Sequence, residues 1–287
     1  MAFVHPTASI GSDVELGNNV HVGPACNLEG RVRLGDDVHL VGNVYLRGPL
    51  TIGPGTTIYP FACIGFPGQD VKFKIGDPTP GVVIGRNCTL REHVTIHAAT
   101  HATLPTTIGD RVFMMVNSHA GHDAQVGSDV VFVNNASLGG HSIIADRVTL
   151  SGHSAVHQFV RVGRLAFISG CLGVSCDVPP FCVAYDTNRI ASINRIGMRR
   201  AGMSVDEITA TRRAFRAVFR RVVSRTEMLA TLDALAASSP AVAEIAEFVR
   251  TAKRPICGGP GKPSRRNATD TPRDQAEPAP EPQLNQA

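Results

Sequence analysis

The chain has 287 residues, no tryptophan and only 5% aromatic residues, whereas glycine occurs 28 times. This composition favours a thin, regular core over a bulky globular one. The net charge of +4 has its basic excess within residues 189–225, and a nucleic-acid groove would need a denser basic patch with interleaved aromatic residues. No apolar run approaches the ~20 residues of a membrane span, and the first residues lack a secretion signal. We therefore expect no nucleic-acid partner and no stable membrane insertion.

The cysteines point to the compartment. There are seven of them, which is an odd number, and no two form a CxxC pair. Free thiols in a reducing compartment fit this usage better than a disulfide framework does. We therefore expect a cytoplasmic protein.

A six-residue repeat dominates the first two thirds of the chain. From Val4 to Ile64 every sixth residue is aliphatic, eleven positions in succession, and an apolar series resumes at Ile84 and runs to Val174 with one break. Such a repeat is the signature of a parallel β-helix, in which three short strands make a coil of about 18 residues. We predict an all-β fold, a left-handed parallel β-helix of hexapeptide repeats over residues 1–183. Glycine often follows the aliphatic residue, as at Gly17, and we interpret it as permitting positive φ at the corners.

Two segments interrupt the repeat and should leave the prism as loops, at about residues 66–83 and 98–107. Loops carried by a rigid scaffold often hold functional residues.

The period changes after the motif DVPPF at residues 177–181. Because proline cannot donate to a strand ladder, we expect the β-helix to end there. Ser204 and Glu207 form a predicted capping box, and helical spacing continues to a third helix opened by Pro240. This predicts a C-terminal helical domain over residues 184–257, followed by a disordered tail over 258–287, where almost nothing can be buried.

The segment HAGHD, residues 119–123, lies within a cluster of histidines. Seven of the eleven histidines fall between residues 97 and 157. Since residues 18 apart stack in a β-helix, His122 should share a column with Gly140 and Gln158, and Asp123 should lie beside His141.

Three interpretations of this cluster are open. An imidazole next to a carboxylate suits general-base catalysis, with the N–H of Gly140 stabilising an oxyanion. Zinc would need three or four converging ligands, as in prism-shaped carbonic anhydrases, and the H-x2-H spacing reveals no third ligand. A non-catalytic β-helix scaffold would need no such cluster, and its polar histidines would be incidental.

Over roughly residues 3–250 the chain resembles the bacterial UDP-N-acetylglucosamine O-acyltransferases, which perform the first step of lipid A assembly. The resemblance is carried by motifs in a fixed order: FVHPTASIG (3–11), QDVKF (69–73), VTIH (94–97), HAGHD (119–123), NNASLGGH (134–141), AVHQF (155–159) and DVPPF (177–181). Single hexapeptides are common among acyltransferases, whereas these motifs together are specific.

The resemblance implies a role for each matching residue. His122 would be the general base on the sugar 3-hydroxyl, Asp123 would orient it, and the N–H of Gly140 would support the thioester oxyanion. Gly170 would leave room for a longer acyl chain. The residues implied in binding the sugar nucleotide are Asp70, Lys72, His119, His141, His157, Gln158, Asn194 and Arg200.

The resemblance also implies the partners. The donor would be an (R)-3-hydroxyacyl group on acyl carrier protein, an acidic partner that suits the basic segment, and the acceptor would be UDP-N-acetylglucosamine. The enzyme would be a homotrimer without a metal or other cofactor, with each site between two prisms. Ile196 and Ala201 depart from the family pattern, within a divergent segment at 182–201, so a different UDP-amino sugar stays open as the acceptor.

Overall fold

The predicted parallel β-helix is confirmed by the structure, a computed structural model that describes residues 1–74, 76–100, 103–221 and 223–259. Its described residues form three sheets, which are the faces of a triangular prism. The tail predicted at 258–287 lies outside the described residues from residue 260 onward.

The strands of each face follow one another along the prism axis, and each pairs in parallel with the strand one coil away, up to a final antiparallel pair at the end of the first sheet. The first sheet contains β1 (Phe3–Val4), β4 (His21–Val22), β7 (His39–Leu40), β10 (Thr57–Ile58), β13 (Thr89–Leu90), β16 (Phe113–Met114), β19 (Val131–Phe132), β22 (Thr149–Leu150), β25 (Phe167–Ile168), β27 (Cys182–Asp186) and β28 (Arg189–Ile193). The second contains β2 (Ser9–Ile10), β5 (Asn27–Glu29), β8 (Tyr45–Arg47), β11 (Cys63–Phe66), β14 (Thr95–His97), β17 (His119–Ala120), β20 (Ser137–Leu138), β23 (Ala155–Val156) and β26 (Gly173–Val174). The third contains β3 (Glu15–Leu16), β6 (Val32–Leu34), β9 (Leu50–Ile52), β12 (Val82–Ile84), β15 (Thr106–Ile108), β18 (Gln125–Val126), β21 (Ile143–Ile144) and β24 (Arg161–Val162).

The core is the stack of apolar residues that the six-residue period predicts. In most two-residue strands the second residue points inward, as Leu40, Ile58 and Leu90 do in the first sheet, and each of these three is 0% exposed. Burying one such side chain contributes roughly 1.5–3 kcal/mol. Stability therefore accumulates coil by coil along the axis.

The interpretation of the glycines that follow the aliphatic positions was wrong for most of them, since Gly65 has a φ of 84° but Gly17 and its equivalents do not have positive φ. Positive φ falls two residues further on, mostly at residues other than glycine, for example at Asn19 and Asp37. A Cβ at Gly17 would instead lie 2.8 Å from the backbone nitrogen of Asp36 in the next coil. These glycines permit close stacking of coils, while the corner residue takes the left-handed region whether it is an Asn or Asp, which tolerate it well, or a bulkier residue such as Phe61 or Arg111.

One edge of the prism varies in length, and we call it edge 2–3 because it joins the second sheet to the third. The two long loops both leave from it, as residues 67–81 between β11 and β12 and residues 98–105 between β14 and β15. On the following coils the same edge is only four residues long, at 121–124, 139–142 and 157–160. The other two edges keep a constant spacing, so the loops do not disturb the register.

The predicted end of the β-helix at residue 183 was too early. Val178 bridges to Val162, and β27 pairs in parallel with β25 before β28 turns back antiparallel. Pro179 and Pro180 fall in the turn between these pairings, where the ladder needs no N–H donor. The prolines therefore cost the sheet nothing, and the β-structure continues to residue 193.

Four helices follow among the described residues: α1 (Arg195–Arg200), α2 (Val205–Val218), α3 (Arg225–Ala236) and α4 (Pro240–Arg250). The capping box at Ser204 and Glu207 is confirmed, and Pro240 opens α4 as predicted. The sequence missed α1, whose six residues are too few to establish a helical period. None of the helices in the described ranges has the length and apolarity to cross a bilayer.

The chain returns to the prism after α4. Ile256 bridges to Asp177, and Gly258 bridges to Arg189 in β28. Gly258 therefore belongs to the ordered body, although the sequence placed it in the tail.

Candidate active site

His122 and Asp123 occupy edge 2–3 directly after β17, where Asp123 takes the left-handed corner conformation with φ of 60°. Nδ1 of His122 lies 2.7 Å from Oδ2 of Asp123, and the two side chains are only 13% and 6% exposed. A neutral imidazole whose Nδ1–H donates to a carboxylate keeps Nε2 free to accept a proton. The pair therefore has the geometry of a base and its orienter, which we call the dyad.

Two threonines hold Asp123, one through its carboxylate and the other through its backbone N–H. The backbone N–H and the hydroxyl of Thr100 both donate to Oδ2 of Asp123, at 3.0 and 2.8 Å. The N–H of Asp123 itself donates to the hydroxyl oxygen of Thr106, at 2.8 Å. Both threonines belong to the stretch that forms the shorter loop and the strand after it, so this loop folds back onto the dyad.

Gly140 lies one coil beyond His122, as the 18-residue spacing predicts. A Cβ at Gly140 would come within 2.5 Å of both Cε1 and Nε2 of the His122 ring. The ring thus rests on the bare backbone of Gly140, and only glycine leaves room for it. Among the described residues the N–H of Gly140 donates no hydrogen bond, which leaves it available beside the proposed base.

His97 and His119 form a second pair next to the dyad, with ring centroids 4.9 Å apart and edge-to-face geometry. The His119 Nδ1 lies 2.7 Å from the hydroxyl of Thr95. Burial, together with the neighbouring His97 and His122, lowers the pKa of His119 to about 4, and burial lowers the pKa of His97 in the same direction. Both rings are therefore neutral near pH 7, and they can donate or accept hydrogen bonds without adding charge.

The lowered pKa of His119 predicts a pH-dependent stability. An unfolded histidine titrates near pH 6.5 and the folded His119 near 4, so between these values the unfolded state binds more protons. The free energy of unfolding should therefore fall by about 1–3 kcal/mol as pH drops through this window. We expect the melting temperature to fall between pH 7 and 4.5, and His119→Gln to remove part of that dependence. An identical pH slope in the variant would refute the assignment.

His141 joins the dyad from the next coil. Its Nε2 lies 3.6 Å from Oδ2 of Asp123, and its ring stacks on Phe159 at a centroid distance of 4.5 Å. His157 and Gln158, one coil further, are exposed. The fold therefore lines up His122, His141 and the exposed pair along edge 2–3.

The longer loop contacts the dyad through Gly68. A Cβ at Gly68 would lie 2.7 Å from Cβ of His122 and 2.7 Å from the methyl carbon of Thr100. Asp70 and Lys72 lie further out, where Oδ1 of Asp70 accepts a hydrogen bond from the backbone N–H of Lys72 at 2.9 Å. No hydrogen bond or ion pair within the described ranges joins these two side chains to the dyad.

The other predicted residues lie nearer the C-terminal end. The Asn194 side chain caps α1, since its Oδ1 accepts from the N–H of Gly197 and its Nδ2 donates to the carbonyl of Leu165. Arg200 is exposed in the last turn of α1, and Gly170 is exposed on the prism. The structure gives Asn194 a capping role that the sequence did not predict.

The structure brings together three side chains that could bind zinc, as the zinc alternative requires. His122, Asp123 and His141 offer ligand atoms that lie within 4.8 Å of one another, and the fold supplies His141 by stacking, which the H-x2-H spacing did not reveal. However, Oδ2 of Asp123 already accepts from two donors of Thr100, and a metal ion bound at this oxygen would have to compete with them. A hydrogen-bonded orienter fits this carboxylate better than a metal ligand does.

Sequence reasoning missed Thr100, Thr106 and Gly68. Their contacts depend on how the two loops fold back, and no stacking interval of 18 residues points to them.

Comparison with known proteins found relatives that match most of the chain. Residues 177–257 match the family model described as UDP N-acetylglucosamine O-acyltransferase, domain 2. A protein from Sinorhizobium fredii named acyl-[acyl-carrier-protein]–UDP-N-acetylglucosamine O-acyltransferase is 39% identical over 268 residues, which cover 91% of this chain and 98% of that protein. A protein of the same name from Thermodesulfovibrio yellowstonii is 38% identical and covers 88% of this chain and 98% of its own length. The crystal structure of the UDP-N-acetylglucosamine acyltransferase from Bacteroides fragilis superposes with a TM-score of 0.84 at 32% identity, covering 88% of this chain and 99% of that one.

The hexapeptide prism with a buried His–Asp pair at its edge defines a β-helix acyltransferase. The identity and coverage of the relatives define it further: the chain belongs to the UDP-N-acetylglucosamine O-acyltransferase family. The resemblance drawn from the sequence motifs is thereby confirmed.

Proposed function

We propose that the chain transfers an (R)-3-hydroxyacyl group from acyl carrier protein to the 3-hydroxyl of UDP-N-acetylglucosamine, the first step of lipid A assembly. The observation that carries this proposal is the 2.7 Å contact between His122 and Asp123, with the ring of His122 resting on Gly140. Relatives named for this activity match the chain over most of its length.

The reaction follows from these three residues. Nε2 of His122 takes the proton of the sugar hydroxyl as its oxygen attacks the thioester carbonyl carbon, and Asp123 stabilises the imidazolium. The carbonyl oxygen becomes an oxyanion, which the N–H of Gly140 stabilises. The intermediate collapses with loss of the thiolate, which takes the proton back from His122. No covalent enzyme intermediate is needed.

We assign the sugar nucleotide to residues around the dyad and beyond it. The neutral ring of His119 and the neighbouring ring of His141 suit the sugar, with His157 and Gln158 beside it. Arg200 suits the diphosphate, because its guanidinium is exposed and makes no ion pair in the described part of the chain. Asp70 and Lys72 suit the sugar nucleotide from the long loop, and Asn194 supports the phosphate end, near Arg200, through its cap on α1.

A homotrimer would complete this site. Asp70 and Lys72 lie on the long loop on either side of Val71, which is fully exposed, and a second prism offers the dyad that they would meet. The apolar Phe159 and Ile143 beside the dyad are 49% and 47% exposed. Apolar surface next to a polar site is typical of a face that a partner covers.

The proposal is tested by measuring acyl transfer from 3-hydroxyacyl carrier protein to UDP-N-acetylglucosamine. A panel of other UDP-amino sugars tests the alternative acceptor, which the exposed Ile196 and the neighbouring Ala201 motivate. Transfer to UDP-N-acetylglucosamine at the highest kcat/KM supports the proposal, whereas absence of transfer to every sugar in the panel overturns it.

The carrier protein has a candidate docking surface on α2 and the turn after it. Arg212, Arg216 and Arg220 are exposed at intervals of four residues, and with Arg195 they line a cavity of about 220 Å³ whose floor includes Phe215. None of the four makes an ion pair within the described ranges. An unpaired basic stripe beside an apolar floor suits an acidic protein partner.

Charge reversal at this basic stripe should weaken binding of the acyl carrier protein without weakening binding of the sugar nucleotide. We expect Arg212→Glu combined with Arg216→Glu to raise KM for the acyl carrier protein by about tenfold or more, with KM for the sugar nucleotide unchanged. The exposed corner residue Arg147 provides the control variant, Arg147→Glu. Equal KM values in the double variant and the wild type would place the docking surface elsewhere.

Acyl length and compartment complete the proposal. Gly170 is exposed, and the open surface there suits a longer acyl chain. All seven cysteines are described and none forms a disulfide, which supports a reducing, cytoplasmic location.

A further inference from the structure

The shorter loop, between β14 and β15, contributes a residue to the dyad that no sequence motif suggested. Thr100 directs two donors at the same carboxylate oxygen, Oδ2 of Asp123, through its N–H at 3.0 Å and its hydroxyl at 2.8 Å. The same hydroxyl oxygen lies 3.3 Å from Nδ1 of His122. One side chain thus contacts both members of the dyad.

We propose that Thr100 is a positioning residue for the acyl transfer, which fixes the carboxylate of Asp123 and through it the imidazole of His122. A carboxylate has two equivalent oxygens and a soft terminal torsion. Two donors from Thr100 select Oδ2 and hold it in the plane where it meets Nδ1 of His122. The ring is thereby held with Nε2 turned away from Asp123, over Gly140.

The position of Thr100 is itself fixed from two sides. The preceding Ala98 and Ala99 are buried, and their N–H groups donate to the carbonyls of Phe66 and Gly81 at 2.8 and 3.2 Å. Gly68 lies against the methyl group of Thr100 and against His122. The two loops of edge 2–3 therefore hold each other in place through these contacts. Thr100, held by both loops, in turn fixes the position of the dyad.

The expected loss of kcat on removing the Thr100 hydroxyl follows from the negative charge of its acceptor, the Asp123 carboxylate. Hydrogen bonds to charged groups are stronger than neutral ones, and misplacing a reacting group by even a small distance is costly. Thr100→Val removes the hydroxyl and keeps the shape and the backbone N–H. We expect it to lower kcat by about 10- to 100-fold, with KM for the sugar nucleotide within about threefold of wild type.

Matched variants separate positioning from packing. Thr100→Ser keeps the hydroxyl and should retain kcat within about threefold, whereas a role for the methyl group would make it as slow as Thr100→Val. Thr107→Val, in the adjoining strand, removes a hydroxyl that donates to the carbonyl of Pro105 and should leave kcat unchanged. In an Asp123→Ala background, which removes the side chain, Thr100→Val should cause no further loss, because a residue that acts through the Asp123 carboxylate has nothing left to position.

A readout independent of turnover completes the test, because the proposal rests on the proposed function of the dyad. In protein labelled with ¹⁵N-histidine, the Nδ1–H resonance of His122 is assigned by its loss in His122→Ala. We expect this proton to exchange faster with water in Thr100→Val and to persist in Thr100→Ser.

The outcomes are distinguishable. Wild-type kcat in Thr100→Val, equal losses in the serine and valine variants, fully multiplicative losses with Asp123→Ala, or an unchanged Nδ1–H exchange rate would each overturn the role of Thr100. Failure of the proposed function would appear differently, as an inactive wild type or an undiminished rate in His122→Ala, and the exchange measurement would still decide the role of Thr100.

Discussion

His122→Ala is expected to lower kcat for acyl transfer by about 10²- to 10⁴-fold, because it removes the group that takes the proton of the attacking hydroxyl. The ring packs against the dyad partner and the backbone of Gly140, and the hydrophobic core of the prism does not include it. The variant should therefore remain folded. The measurement is the initial rate with 3-hydroxyacyl carrier protein and UDP-N-acetylglucosamine, together with the melting temperature.

His153→Ala is the matched control for this variant. His153 is an exposed corner histidine, whose Nε2 lies 3.4 Å from the side chain of Asn135, and it occupies a different edge of the prism. Its loss should leave kcat within about threefold of wild type, as is usual for surface substitutions. A His122→Ala variant that retained the wild-type rate would remove His122 as the base.

Gly140→Ala is the second variant for which we expect a large loss, about 10²-fold or more in kcat. The added Cβ would lie 2.5 Å from Cε1 and Nε2 of His122, so the ring must move away from the position in which Nε2 meets the acceptor. The methyl group would also obstruct approach of the thioester oxygen to the N–H of residue 140.

The control for Gly140 is Gly173→Ala. Gly173 is exposed, and a Cβ there would meet no atom within 4 Å. We expect this variant to retain wild-type kcat and melting temperature, while Gly140→Ala loses kcat with a melting temperature close to wild type. Full activity in Gly140→Ala would show that neither the ring position nor the open backbone at residue 140 matters for the reaction.

The β-helix was predictable because each six-residue repeat of the sequence corresponds to one of the three strands of a coil. Each inward residue and each stacked column follows from counting in sixes and eighteens, which is how His122 was placed beside Gly140. Errors arose where the argument used residue preference in place of register. Pro179 and Pro180 were interpreted as breaking a strand, although they occupy a turn between two strands.

The contacts of the loops were not predictable from the sequence. Thr100 precedes Asp123 by 23 residues, an interval that belongs to no repeat, because the loop between them adds residues outside the coil. The role of Asn194 was not predictable for a different reason, the shortness of α1. Its type and its distance from Gly197 are typical of a helix cap, but α1 was too short to be recognised, so the motif resemblance alone defined its role.

Loop length on edge 2–3 can vary without changing the architecture of the prism. Because the other two edges carry the register, lengthening a loop on this edge adds only closure entropy, about 0.6 kcal/mol for each doubling of loop length. Two adjacent coils have already accepted insertions there without a shift of any strand pairing. The prism therefore provides a row of equivalent insertion points, one per coil, and new substrate contacts can be acquired or exchanged along that row without refolding the scaffold.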